Sequence, residues 1–237
     1  MTERVFLVIG AGAGIGGHAA ARFSRGGYHA VLARRSDDAG LARLVHAIEE
    51  DGGKATGTLL DAAADGSIEE LVDRVERDIG PIHTVLYNLG AQIGNRTLGD
   101  TPHRTFELGW RLGCFGLFRL AHAVTPLMVA RGSGTILVTS ATAAVRGNAG
   151  QHSHAAAMGG RRMLCQTLNA EFAPQGVHIA HVVVDGSVDA PDTLGKLLGE
   201  RFEAYKAAKG EDGVIDPGAL AETYWHLAHQ PRNCWTH

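Results

Sequence analysis

The chain has 237 residues, 45% of them hydrophobic and 20% charged, with a formal net charge of −3. That length suits a single α/β domain with a substantial core, and the balance of charge excludes the cationic excess of a nucleic-acid binder. The opening "MTERVFLVIGAG" lacks a basic stretch followed by an apolar run and a cleavage site, and no segment reads as about 20 consecutive apolar residues, so the expectation is a cytoplasmic protein with no membrane partner. Cys114, Cys165 and Cys234 lie far apart with no CxxC pair, which points to reduced thiols.

In chain order, "RVFLVIG" (4–10) is an apolar, β-branched run ending in glycine, the pattern of a strand buried on both faces. "GIGGHAAARFSRGG" then supplies a helix with a Gly26-Gly27 stop. The alternation continues through strand "HAVLARR", helix "AGLARLVHAIEEDGG", strand "KATGTLLD", helix "DGSIEELVDRVERDIGP" and strand "HTVLYNLG". Residues 102–131 read as one long helix, 134–140 as a fifth strand, 152–173 as a further helix and 177–186 as a sixth strand. Repeated βα units without hairpin signals imply an α/β fold: a single doubly wound, Rossmann-type parallel sheet with helices on both faces, spanning 1–237. Beyond 190 the pattern is helical and weaker, and 190–230 is expected to form a substrate lid within that domain.

Gly10, Gly14 and Gly16 stand in "IGAGAGIGG" between the first strand and its helix. Glycine is needed there because the backbone turns sharply and a Cβ would keep a pyrophosphate from the amides of the helix N-terminus, whose partial positive charge favours an anion. Arg34 and Arg35 follow the second strand, where a carboxylate would accept the ribose hydroxyls of NAD; arginine suits the 2′-phosphate of NADP instead. NADP is therefore the expected cofactor and NAD the alternative, since Asp37 and Asp38 blunt the positive field.

The spacing Gly-x-x-x-Gly-Ile-Gly resembles the short-chain dehydrogenase/reductase family, and other segments resemble it in the right order. "LLDAAA", with Asp61 and Ala62, resembles the adenine-contacting turn; "YNLG", with Asn88 and Gly90, resembles the family's NNAG; "VVVDGSVDAP", with Val188, resembles the stretch beside the nicotinamide. The resemblance implies cofactor contacts from Gly10, Gly14, Ile15, Gly16, Arg34, Arg35, Asp61, Ala62, Asn88, Gly90 and Val188. It also implies a small carbonyl or alcohol substrate, and a homodimer or homotetramer through the long helices.

The family's catalytic pattern fails at "GTILVTSATAAVRG" and "QHSHAAAMGG". Its serine falls at Ala141, its tyrosine at His154, its lysine at Met158 and its asparagine at Gly113. One reading makes His154 the proton donor, because a pKa near 6.5 needs no lysine to lower it. Ser140, Thr142 or Ser153 then binds the carbonyl, and Arg161 or Arg162 reaches the cofactor. The other reading is a catalytically silent, NADP-binding homologue that serves as a binding or scaffold subunit. The close pairs His152/His154, His178/His181 and His226/His229 lack a third ligand, so no metal is expected. The chain stops at "NCWTH", so a seventh strand is expected to be short or absent, leaving a sheet edge exposed.

Overall fold

Strands buried on both faces can be satisfied only between two layers of helices, and the computed structural model, which describes residues 3–90 and 95–237, has that arrangement. The strands are β1 (Val5–Ile9), β2 (His29–Arg34), β3 (Lys54–Leu59), β4 (Ile82–Tyr87), β5 (Gly134–Ala141) and β6 (Val177–Val184). They form one parallel sheet in the order β3-β2-β1-β4-β5-β6. The helices are α1 (Ile15–Arg25), α2 (Asp38–Glu50), α3 (Ser67–Asp78), α4 (His103–Trp110), α5 (Gly116–Arg131), α6 (His152–Phe172), α7 (Lys196–Leu198), α8 (Phe202–Lys209) and α9 (Pro217–Ala228).

Side-chain alternation divides the core. Val5, Leu7 and Ile9 of β1 join Leu71 and Val75 of α3, Leu120 and Val124 of α5 and Cys165 of α6 on one face. Phe6 and Val8 turn to the other, with Ala20 and Phe23 of α1 and Tyr224 of α9. There Phe6 stacks on Phe23 with ring centroids 3.7 Å apart, and Trp225 meets Phe23 edge-on at 5.2 Å. The region expected as a lid therefore divides: α9 belongs to the core, and only the shorter elements before it remain outside.

The expected helix over 102–131 is interrupted. Residues Arg111–Phe115 form a π-helical turn between α4 and α5, and the Tyr87 hydroxyl donates to the Leu112 carbonyl there at 2.5 Å. An 18-residue window of the combined helix reaches a mean hydropathy of 1.5, more apolar than the sequence reading allowed, and half of that window is buried inside the protein. No seventh strand occurs among the described residues, but the edge of β6 is not bare. Trp235 stacks on His178 at 4.9 Å, the Thr236 carbonyl lies 2.7 Å from His178 Nε2, and His237 Nδ1 lies 3.0 Å from the Ile179 carbonyl.

Candidate active site

Strand order reverses between β1 and β4, and at such a switch point an open α/β sheet binds its ligand beyond the carboxyl ends of the strands. The glycine loop lies there. Gly10 adopts φ +102°, and a Cβ there would lie 2.8 Å from the Asn88 carbonyl oxygen. A Cβ on Gly16 would lie 2.5 Å from the Gly10 carbonyl, so α1 can approach β1 this closely only without one. Asn88 fastens the two strands from the other side: its side chain donates to the Gly10 carbonyl at 2.9 Å and its N–H to that of Ile9 at 2.8 Å. Gly12 faces open space, and Gly14 lies against Ala190, whose Cβ would be 2.7 Å from one added at Gly14. Ile15 is half-buried against the α1 side of the core, Gly90 is exposed, and Val188 forms a lone parallel bridge with Ile215.

The adenosine side is built by β2 and β3. Asp61 is exposed and turns its carboxylate to the Ala63 N–H at 3.0 Å, while Ala62 is buried. Arg119 of α5 holds this turn, donating to the carbonyls of Ala62 (3.2 Å) and Ala64 (2.8 Å) and forking onto Glu69 at 2.9 and 2.5 Å. The Arg119 hydrogen bond holds the Glu69 carboxyl below the usual range against the opposing effect of burial. Arg35 is exposed. Arg34 is mostly buried between two carboxylates, Asp37 at 3.2 Å and Asp192 at 3.3 Å, and its Nη1 is a buried donor with no partner. Asp192 also accepts from the Ala13 N–H at 3.2 Å. The loop amides, the Cβ-free turn and the unpartnered guanidinium nitrogen fit a nucleotide with an additional phosphate.

At the end of β5 the geometry is less open than the sequence implies. His154 lies in the first turn of α6, half-buried, with an unpartnered Nδ1. Burial, assisted by the charge of Arg161, holds its imidazole below the ordinary histidine range. Ser140 is buried and donates to the Met158 sulfur at 3.7 Å, and Ser153 is buried against the Phe106 carbonyl at 3.2 Å. Neither hydroxyl is presented to a substrate. Thr142 is half-exposed and bonds the Asp185 carboxylate. Met158 packs with Ala143 and Ala157, and Ala141 joins that small apolar cluster.

Arg161 does not reach toward the cofactor; it is 1% exposed. Its guanidinium donates to the carbonyls of Gly113 (2.5 Å), Thr139 (2.5 Å) and Leu89 (2.8 Å) and lies over the Tyr87 ring. Gly113 thus contributes its backbone oxygen through the π-helical turn. Sequence reasoning missed Arg161 in this role, Asp192 and Arg119. A signal for the first was present: His154, Met158, Arg161, Cys165 and Leu168 share one α6 face, and an arginine among buried neighbours must find acceptors inside.

A doubly wound sheet with a glycine loop at its switch point defines a dinucleotide-binding protein. A family profile described as short chain dehydrogenase matches residues 4–197. The short-chain reductase protein NovJ of Streptomyces niveus is 35% identical over 218 residues, 90% of this chain and 80% of that one. The chain belongs to the short-chain dehydrogenase family. Among solved structures, a short-chain dehydrogenase from Rhodopseudomonas palustris superposes with a TM-score of 0.81 at 30% identity, over 98% of this chain and 95% of that one. A single-substitution variant of actinorhodin polyketide ketoreductase, solved with NADPH, has the same fold, with a TM-score of 0.86 at 23% identity over 99% and 93% of the two chains.

Proposed function

We propose that this chain is an NADP-dependent oxidoreductase that interconverts a small carbonyl compound and its alcohol, with His154 in the role of proton carrier. The observation that carries the reading is the His154 ring, half-buried at the start of α6 with its Nδ1 unpartnered, in the segment that the sequence resemblance sets against the family's tyrosine. A buried polar atom without a protein partner can engage a ligand that enters the site. The cofactor, when bound, supplies or accepts the hydride. Reduction then requires His154 as imidazolium to give a proton to the carbonyl oxygen, and oxidation requires the neutral ring to take one from the alcohol. Its lowered pKa favours the neutral form, the one that alcohol oxidation requires. Thr142, the one half-exposed hydroxyl of the three candidates, replaces Ser140 as the group to bind the substrate oxygen.

The nucleotide reading rests on Gly10, Gly14, Ile15, Gly16, Asp61, Ala62, Asn88, Gly90 and Val188 around the switch point, with Arg34 at the 2′-phosphate and Arg35 exposed beside it. The subunits pair through α4, α5 and α6, where Trp110, Phe118 and Met163 are exposed. Turnover of NADPH with a panel of ketones and aldehydes, and of NADP with alcohols, tests the reading. Tight NADPH binding with no hydride transfer in either direction would establish a silent nucleotide-binding subunit instead.

A further inference from the structure

Asp192 belongs to the π-helical turn Pro191–Gly195 that follows β6, yet its carboxylate sits in the glycine loop. One oxygen, Oδ2, accepts from the Ala13 N–H at 3.2 Å and from Arg34 Nη2 at 3.3 Å; the other lies 3.5 Å from Lys196 Nζ. Ala13 is 179 residues distant in the chain and Arg34 158, so these are not local capping contacts. Burial pushes the carboxyl upward in pKa, but the Ala13 amide, Lys196 and Arg34 outweigh it and hold Asp192 below the usual aspartate range.

Those two long-range donors are the ones an additional phosphate on the adenosine ribose would need. A carboxylate and a phosphate cannot share the Ala13 N–H, and two anions on one guanidinium repel each other. Asp37, the other carboxylate on Arg34, is fixed: at φ +68° it caps α2 and accepts from the Gly40 N–H at 2.9 Å. Among the described residues, Asp192 has no such anchor beyond the donors themselves and its own neighbour Lys196.

We propose that Asp192 is a resident anion occupying the seat of the cofactor's 2′-phosphate, so that NADP must displace it whereas NAD, with an uncharged hydroxyl there, need not. Asp192 is thereby a specificity-determining residue that narrows the preference for the phosphorylated cofactor. The inference rests on the NADP reading given above.

The test uses adenosine 2′,5′-bisphosphate and adenosine 5′-monophosphate as probes, titrated calorimetrically into the unmodified protein, Asp192→Asn and Asp192→Ser. Asparagine retains the shape and the acceptor for Ala13, and the serine variant serves if asparagine disturbs folding. Removing the charge should tighten binding of the bisphosphate by about tenfold, the size of one charge-assisted contact regained, and leave the monophosphate within about twofold. With Arg34→Gln also present, the gain should disappear. A bisphosphate preference that is present but unchanged or weakened in both variants overturns the role of Asp192 and leaves the NADP reading standing. If no protein prefers the bisphosphate, both fall. A preference that emerges only in the variants supports the displacement directly.

Discussion

In the proposed function, His154 sets the chemistry at the scale of a single residue. Its folded pKa lies below the ordinary histidine value, chiefly through burial and secondarily through Arg161, so the imidazolium needed for reduction accumulates only as the pH falls below 6.5. The expected outcome is a carbonyl-reduction rate that rises with acidity below that pH and an alcohol-oxidation rate that holds from alkaline solution down past it; pH–rate profiles of kcat check both. This is more acidic than the residue type alone implies. His154→Phe should lower turnover by about 10²–10⁴-fold while NADPH affinity stays nearly constant, because the ring addresses the substrate oxygen and not the phosphates. The expectation that His154 and Met158 stand where the family has tyrosine and lysine comes from the resemblance of the flanking motifs alone. The loss of Ser140 to the interior was not legible in the sequence, because which of several neighbouring hydroxyls faces outward depends on the strand pleat and on Met158, a contact across 18 residues.

At the scale of elements, the order of strands and helices was written in the chain as apolar runs ending in glycine. The boundaries that failed were set by long-range contacts. The π-helical turn at Arg111–Phe115 has within it only Gly113 as a local signal; its carbonyls at Leu112 and Gly113 are drawn inward by Tyr87 of β4 and Arg161 of α6. Likewise α9 reads as a peripheral helix until Trp225 is placed against Gly26, where any side chain would collide with the indole. The glycine loop makes the sharpest prediction here. Gly10→Ala would have to hold alanine at φ +102° with its Cβ against the Asn88 backbone, and should cost about 2 kcal/mol or more in urea unfolding while weakening NADPH and NADH alike. NADPH and NADH affinities unchanged from those of the unmodified protein would contradict the placement of the loop at the nucleotide.

For the molecule as a whole, acid sensitivity follows from β6. His181 is pushed down to about 4, first by burial and then by His237, and His178 is lowered by burial despite its bond to Thr236. The unfolded chain therefore takes up protons that the folded one refuses, so stability is full above pH 6.5 and declines as the pH falls toward about 4. Urea midpoints measured from pH 8 downward should show that decline, and His181→Asn should flatten it. Association should respond to Phe118, which is 48% exposed in a stacked row with Trp110 and Phe115. Phe118→Glu should convert a sedimenting oligomer to monomer with a stability change within about 0.5 kcal/mol if measured against the isolated subunit. Arg161 has a consequence in time. Its three bonds close chain separations of 72, 48 and 22 residues, tying together the ends of β4 and β5 and the turn between α4 and α5. Such contacts can form only after those elements have met, late on the folding path. Arg161→Met would strand the buried Gly113 carbonyl at about 1–3 kcal/mol and remove the donor of the part-buried Thr139 and Leu89 carbonyls at a smaller cost. Most of that loss should appear as faster unfolding and little as slower folding, so the guanidinium acts as a latch on how long the native state persists.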